Sequence, residues 1–552
     1  MSERVQLRAW QRAAFDDFTA SNSSDFLAVA TPGAGKTTFA LACARAALAE
    51  QRRRVVVVAP TSHLKLQWAR AAHRLGLELD HTWSPADGLA RDVHGLVTTY
   101  QQVATADTAK RLRGVAADAF VILDEINHAG DERAWGSSIR NAFELAARRL
   151  CLSGTPFRSD TNAIPFVRYS ETGSGTEAQP DYTYGYAEAL RDGGVVRPVY
   201  FPRFDGLMEW SAPDGTLQSA NFHDEVDRTA MGHRLRAALS LEGEWLPSVL
   251  TQANERLVAI RRHQPDAGAL VIAIDQDHAR GIAAFIRRRF NADSRVVVSD
   301  DPEASRWIGE FAGGSSPWLV AVRMVSEGVD IPRLRVGVYA TTVATELFFR
   351  QAVGRFVRWQ KGQPSQKAYV FIPDDPRLRT HAFQIADARR HVLRPPADDE
   401  TEDVDTLDRD LAEVAARFEE PEQLSLFSVL SSVATGMSVH AFTEAGLTLF
   451  DDEPEVAEPT ADHLVAAEVE LQEIPTDAGF GLSDELSVAE RKEELRERNA
   501  EVARALVDRT GWKHAKVNSE LNRLSGLANV GSATNDQLQR RLRRGEEWLR
   551  RR

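Results

Sequence analysis

The residues with the clearest chemistry are Ala30-Thr-Pro-Gly-Ala-Gly-Lys-Thr37, set between an apolar run and the helical stretch Thr38–Leu48. Glycine at positions 33 and 35 lets the backbone curl, so that the N–H groups of Thr31, Gly33, Ala34 and Gly35 can face an anion. A helix starting there adds the positive end of its dipole. Lys36 has the reach for the outer phosphates of a nucleotide, Thr37 offers a hydroxyl to Mg²⁺, and Thr38 shares their first turn. The general pattern has glycine where this chain has Ala30. The turn proper lies at Pro32–Gly35, so the cradle survives that change. A second group, Val121-Ile-Leu-Asp-Glu125, ends an apolar strand in two carboxylates. Asp124 can hold the Mg²⁺ shell. Glu125 can take a proton from an attacking water. Two acids at a strand end mean little alone. Beside the loop, they read as an ATP and Mg²⁺ site.

Such residues work only if strand ends and helix starts bring them together. Short apolar runs at Phe26–Ala30, Val55–Ala59, Gly95–Thr98, Phe120–Asp124 and Leu150–Ser153 alternate with helical patterns. That alternation implies a parallel sheet covered on both faces. A second series follows at Ala269–Ile274, Val296–Ser299, Trp318–Val322, Val336–Ala340 and Ala368–Ile372. The fold class is therefore α/β, with two units. Residues 159–264, rich in aromatics and turn signals, read as the end of the first unit plus a connector or insertion.

The chain has 552 residues and a net charge of −13, too long for one core. The charge is local. Residues 398–422 and 451–477 each carry a net −10, which leaves +7 elsewhere. The remainder can still present basic surfaces to a polyanion. The acidic stretches flank an apolar segment, Leu424–Phe450, and their density favours solvated chain. No apolar run approaches the roughly 18 residues that cross a bilayer, and Met1–Phe15 has no apolar signal core. Cys43 and Cys151 lie in apolar elements and read as buried thiols. No Cys or His cluster has metal-site spacing. The cytoplasm is the expected location.

In the same order along residues 5–375, further segments resemble superfamily 2 helicases, in particular the DEAD/DEAH-like proteins related to type III restriction motor subunits and XPB-like translocases. Leu7-Arg-Ala-Trp-Gln11 resembles that family's N-terminal element, in which Gln11 would meet the adenine edge. Ala59-Pro-Thr61 and Val97-Thr-Thr-Tyr100 resemble strand-end segments that touch a nucleic-acid backbone, and Ser153-Gly-Thr-Pro156 the segment coupling nucleotide state to it. Val325-Ser-Glu-Gly-Val-Asp-Ile-Pro332 would place Asp330 at the ribose. Gln351-Ala-Val-Gly-Arg-Phe-Val-Arg358 would place Gln351 near the nucleotide and supply Arg355 and Arg358 as fingers on the γ-phosphate. Their spacing of three suggests one face of a helix. Asp124-Glu-Ile-Asn-His128 departs from the pattern at Asn127, where the family has His or Asp. Asn cannot be protonated, which bears on coupling rather than on ATP binding.

The resemblance implies two tandem RecA-like domains with parallel sheets. The expected divisions are 1–158 for the ATP-binding domain, 159–264 for the connector, 265–376 for the second domain, 377–484 for an acidic linker region and 485–552 for a helical module. The implied activity is ATP-driven translocation or helicase action, with DNA favoured over RNA as partner. An RNA-dependent ATPase and a nucleotide-switched clamp that moves little stand as alternatives. The acidic linker and the C-terminal module are candidate protein-binding segments. Residues 510–552 hold ten Lys or Arg against four acids, with Trp512 and Trp548 among them. They read either as a nucleic-acid grip or as a helical face packing on the motor through Leu538, Leu542 and Leu549.

Overall fold

The computed structural model describes residues 4–50, 54–86, 88–127, 133–154, 164–172, 175–211, 216–298, 301, 303–322, 331–363, 366–393, 428–438, 467–470 and 486–550. They form two compact units. The first comprises residues 1–30, 35–183 and 465–552, and the second residues 31–34 and 184–464.

The first unit is built on seven strands: β1 (Asp25–Ala30), β2 (Val55–Ala59), β3 (Leu79–Asp80), β4 (Gly95–Thr99), β5 (Phe120–Leu123), β6 (Arg148–Ser153) and β7 (Tyr182–Tyr184). Their order across the sheet is β7-β1-β6-β5-β2-β4-β3. The pairs β1/β6, β6/β5, β5/β2, β2/β4 and β4/β3 are parallel. The five apolar runs in the sequence are these central strands, each within a residue or two of the expected bounds. Val55–Val58 and Phe120–Leu123 are fully buried on both faces, as helices on both sides of a parallel sheet require. Helices α1 (Ala9–Ala20), α2 (Lys36–Glu50) and α3 (Ser62–His73) stand beside it. The core gathers Leu27, Val56, Leu96, Tyr100, Val121 and Phe143. Each such side chain contributes roughly 1.5–3 kcal/mol on burial.

The second unit holds β8 (Arg203–Ser211), β9 (Leu217–Asn221), β10 (Gly268–Ala273), β11 (Ser294–Val297), β12 (Trp318–Val322), β13 (Leu334–Ala340), β14 (Ala368–Pro373) and β15 (Ser428–Ser438). The order is β9-β8-β14-β13-β10-β12-β11, with β15 also pairing β8. The segment from β14 to β11 is parallel. Helices α4 (Arg228–Ala238), α5 (Trp245–Arg261) and α6 (Gln276–Phe290) bury Leu235, Trp245, Leu250 and Ile282 in its core.

The region expected as a connector thus contributes β8, β9, α4 and α5 to the second unit. Alternation along β8 decides this: Phe204, Met208 and Trp210 are buried while Leu207 and Glu209 are exposed. One face of the hairpin completes the core. The apolar segment between the acidic stretches supplies β15, antiparallel to β8. The acidic stretch 398–422 lies outside the described residues. Of 451–477 only Ala467–Glu470 is described, a short strand antiparallel to Arg4–Leu7.

The C-terminal module folds as α8 (Val488–Thr510), α9 (His514–Ser525) and α10 (Asn535–Arg550), grouped with the first unit. Ser487 and Glu490 cap α8 reciprocally, and Gly511 ends it in the left-handed region at φ 67°. Leu538 and Leu542 do not cover the sheet of the first unit. They pack with Leu495, Leu527 and Ala533 inside the bundle. Seating on the β3–β4 edge is largely polar. Lys492 Nζ meets Asp92 Oδ1 at 3.2 Å, and Asn535 N donates to Asp92 Oδ2 at 2.8 Å. Val488 N donates to Glu78 Oε2 at 2.9 Å, and Arg70 Nε to Glu490 Oε1 at 3.0 Å. Val488 adds an apolar contact with Ala90 and Val93. Among the described residues no helix is long and apolar enough to cross a membrane.

Candidate nucleotide site

Helix α2 begins at Lys36, straight after the glycine turn. Gly33 and Gly35 have φ of 85° and 97°, which only glycine adopts without strain. Two amides of this loop differ from the expected cradle. Ala34 N, expected to face an anion, donates instead to Thr31 O at 3.1 Å, and Thr31 N donates to Tyr184 O at 2.9 Å. The reason is local geometry: the positive φ at Gly33 folds Thr31–Ala34 into a turn that closes on its own three-residue bond. The Ala34 methyl is fully buried beneath it. Ala34 therefore shapes the loop.

A Cβ on Gly35 would stand 2.7 Å from Gln11 Nε2. That amide donates to Gly35 O at 2.9 Å, and Gln11 Oε1 accepts from Arg8 N at 2.8 Å. Gln11 is therefore buried against the loop. Thr38 N and Phe39 N donate to Gly35 O, closing the first turn. Thr37 lies beside Lys36 in that turn, partly exposed.

Lys36 Nζ reaches Glu125 Oε1 at 2.9 Å and Ala30 O at 3.2 Å. Glu125 Oε2 accepts from Gly154 N at 2.9 Å. One carboxylate thus joins the loop lysine to the segment after β6. Glu125 has φ of 49°, an uncommon left-handed conformation for a side-chain-bearing residue. Such strain, of order 1–3 kcal/mol, persists where surrounding bonds hold it. Asp124 is fixed from three sides. Its N–H donates to Val58 O at 3.0 Å, Tyr100 OH donates to its carbonyl at 2.9 Å, and Trp68 Nε1 donates to Oδ2 at 2.9 Å.

The expected Mg²⁺ fits this donor set. Mg²⁺ keeps several waters and takes only one or two protein ligands beside phosphates, a demand that Thr37 and Asp124 would be enough to meet. Among the described residues no group of three His, Cys, Asp or Glu forms a dedicated metal cage. The glycine turn, the helix start and Lys36 likewise fit a polyphosphate.

Val97–Tyr100, expected at a nucleic-acid backbone, turns inward. Thr98, Thr99 and Tyr100 are buried. Thr99 Oγ1 caps the helix Tyr100–Val103, and Tyr100 supports Asp124. Thr61 is the N-cap residue of α3. Asn127 is 6% exposed, and neither of its amide atoms has a hydrogen-bond partner among the described residues. His128, Thr155, Pro156 and Asp330 lie outside the described residues.

In the second unit, α7 (Glu346–Val353) carries Gln351 and ends before both arginines. Arg355 sits in the turn after it and is 9% exposed, and Arg358 pairs with Val196 in an antiparallel bridge. The helical face expected from their spacing is not formed. Arg355 N and Phe356 N bond back three residues, to Ala352 O and Val353 O, and Arg197 N then captures Val357 O. Phe356 fills the space over Gly337, where a Cβ would lie 2.5 Å from its ring. Ring packing and the strand-like bridge outcompete one more helical turn. This unit includes residues 31–34. A Cβ on Gly33 would lie 3.3 Å from Arg358 Cδ, and one on Gly354 2.6 Å from Pro32 Cγ.

Trp68 escaped the sequence reading, and Tyr100 and Gly154 were named there only within segments given other contacts. Trp68 offered a faint signal, a lone indole on the apolar stripe of α3. The other two depend on where strand ends meet.

Residues 4–158 match the family model for the type III restriction enzyme res subunit. An uncharacterized protein of Mycobacterium leprae is 38% identical, over 97% of this chain and 93% of its own length. An uncharacterized protein of Mycobacterium tuberculosis is 48% identical over 71% of this chain. The match spans 65% of that relative's length. Among solved structures, the type ISP restriction-modification enzyme LlaBIII bound to DNA aligns over 71% of this chain and 30% of its own. Its identity is 15% and its TM-score 0.46. Saccharomyces cerevisiae Dbp5 bound to RNA and ADP–BeF3 aligns over 74% and 94%, with 14% identity and TM-score 0.41.

Proposed function

The chain belongs to the helicase-like proteins of superfamily 2, in one family with its M. leprae relative, and on that premise we propose that it is a nucleic-acid-stimulated ATPase that translocates on DNA. The observation that carries the reading is the Lys36–Glu125–Gly154 connection beside the fixed Asp124. A loop cation, a base and a metal-binding carboxylate stand together at the C-terminal ends of parallel strands, where α/β sheets bind ligands.

In this reading, the glycine turn, the start of α2 and Lys36 hold the phosphates, and Thr31, Ala34 and the buried Gln11, whose amide binds Gly35 O, keep the turn in shape. Bound Mg²⁺, held by Thr37 and Asp124, would supply charge neutralisation of the phosphates. Glu125 orients the attacking water and accepts its proton. Arg355 and Arg358 offset charge developing on the γ-phosphoryl group, for which the guanidinium fork is suited. Gln351 and Asp330 complete the nucleotide contacts. Loss of the γ-phosphate weakens the arginine contacts. Through Gly154, Glu125 passes that change to the segment after β6.

The test is ATP turnover by the purified chain with single-stranded DNA, duplex DNA and RNA, side by side. Stimulation by DNA above RNA is expected. Stimulation by RNA alone moves the reading to an RNA-dependent ATPase, and no hydrolysis under any condition removes it. Buried Asn127 favours a second reading, a nucleotide-switched clamp with little movement. ATP-dependent displacement of a DNA triplex strand argues against the clamp, and ATPase without displacement argues for it.

A further inference from the structure

We propose that Trp68 is a positioning residue for Asp124, setting the direction of the carboxylate that receives Mg²⁺. The inference rests on the nucleotide-site reading above. Helix α3 presents Leu64, Trp68, Ala69 and Ala72 to the interior, a stripe with helical spacing. Packing alone would be satisfied by phenylalanine. At 2% exposure, however, the indole N–H of Trp68 must find an acceptor or cost about 1–3 kcal/mol. It finds Asp124 Oδ2 at 2.9 Å. The pairing is not a general consequence of burying an indole here. The indole nitrogens of Trp83, Trp210 and Trp318 are buried with no hydrogen-bond partner among the described residues.

The bond has a directional effect. The main chain of Asp124 is already held by Val58 O and Tyr100 OH. The donor on Oδ2 adds a hold on the carboxylate itself and restrains its rotation. A rigid carboxylate suits a cation that demands near-octahedral geometry, and outer-shell donors of this kind are typically worth 10–100-fold in metal affinity. Helix α3 follows Ala59-Pro60-Thr61 directly, so any displacement of that strand-end segment also moves the donor.

The experiment compares the full-length wild type with Trp68→Phe and, as control, Trp83→Phe, which removes an unpaired indole N–H from the same unit. Calorimetric titration of Mg²⁺ in the presence of ADP measures metal affinity without turnover. For Trp68→Phe the half-saturating Mg²⁺ concentration should rise about tenfold. ADP affinity in chelator and the thermal midpoint should match those of Trp83→Phe. Should Trp68→Phe unfold, benzothienylalanine at position 68 keeps the ring shape and replaces the N–H with sulfur. The same rise is expected there. A Mg²⁺ curve superposing on wild type, with wild type binding normally, overturns this inference alone. Wild type showing no Mg²⁺-linked ADP binding overturns the nucleotide-site reading and this inference with it.

Discussion

Replacing Glu125 with glutamine separates two jobs that one carboxylate holds in this structure. Oε1 pairs with Lys36 at 2.9 Å, and Oε2 accepts from the Gly154 amide at 2.9 Å. The amide oxygen of glutamine can keep the Gly154 bond, so the segment after β6 should stay in place. The ion pair is lost. Its side chains are 14% and 26% exposed, neither fully buried nor on the open surface. A pair so placed is worth about 1 kcal/mol net. An incoming polyphosphate must draw Lys36 away from Glu125, so the variant is spared that cost and should bind ATP about fivefold tighter. Turnover should fall by about 10²–10⁴-fold, because the amide cannot accept a proton. Equilibrium binding of Mg²⁺-ATP and single-turnover hydrolysis measure the two effects. Glu125→Ala is the control. It also strips the Gly154 N–H of its acceptor and should lower the thermal midpoint, which Glu125→Gln should spare. Weaker ATP binding by Glu125→Gln would show that the carboxylate supports the loop rather than competing for Lys36. Wild-type turnover would remove Glu125 as the base.

Arg358→Ala should reduce maximal turnover at least tenfold with little change in ATP affinity, and Arg358→Lys should not restore it, because the planar fork is lost. A pure affinity loss in steady-state kinetics would contradict the finger role. Asp92→Ala strands the ammonium of Lys492, which is 1% exposed, and removes the acceptor of Asn535 N. That should cost about 3 kcal/mol and expose the start of α8 to limited proteolysis, with Lys492→Met milder. Equal resistance of Asp92→Ala and wild type would mean the bundle is seated by other contacts. Burial, with Arg54 and Arg45 nearby, lowers the His94 pKa from 6.5 to about 4. Between those values the unfolded chain binds more protons, so this contribution to stability is complete above about pH 6.5 and lost as the pH falls towards 4. Neutral His94 Nδ1 accepts from Glu78 N. His94→Asn keeps an acceptor that does not titrate, so it should flatten thermal midpoints across that window. An unchanged profile would clear His94.

Local order was legible in the chain. Runs such as Val55–Ala59 and Phe120–Leu123 read as buried strands, because continuous apolar residues leave no face for water and the runs are short and rich in β-branched residues. The loop was equally plain, since glycine beside lysine at a helix start has few other uses. By itself the sequence thus determined the parallel strands of both sheets, the glycine loop and the two carboxylates. Spacing could not say which way a group turns once elements pack. Within the loop, Ala34 N closes on Thr31 O and Thr31 N on Tyr184 O, a partner far along the chain. Three-residue spacing suggested a helical face for Arg355 and Arg358. The choice was made by Phe356 against Gly337 and by Arg197 N on Val357 O, groups distant in the chain. Leu538 and Leu542 announced an apolar face without naming its partner, which proved to be α8 and the loop before α10. Trp68, Tyr100 and Gly154 reach Asp124 and Glu125 from segments separated by dozens of residues. Their roles exist only where strand ends converge. Hydrophobic periodicity is a short-range code and is written into the sequence. Hydrogen-bond partners at a site are long-range contacts, and only the tertiary fold assigns them.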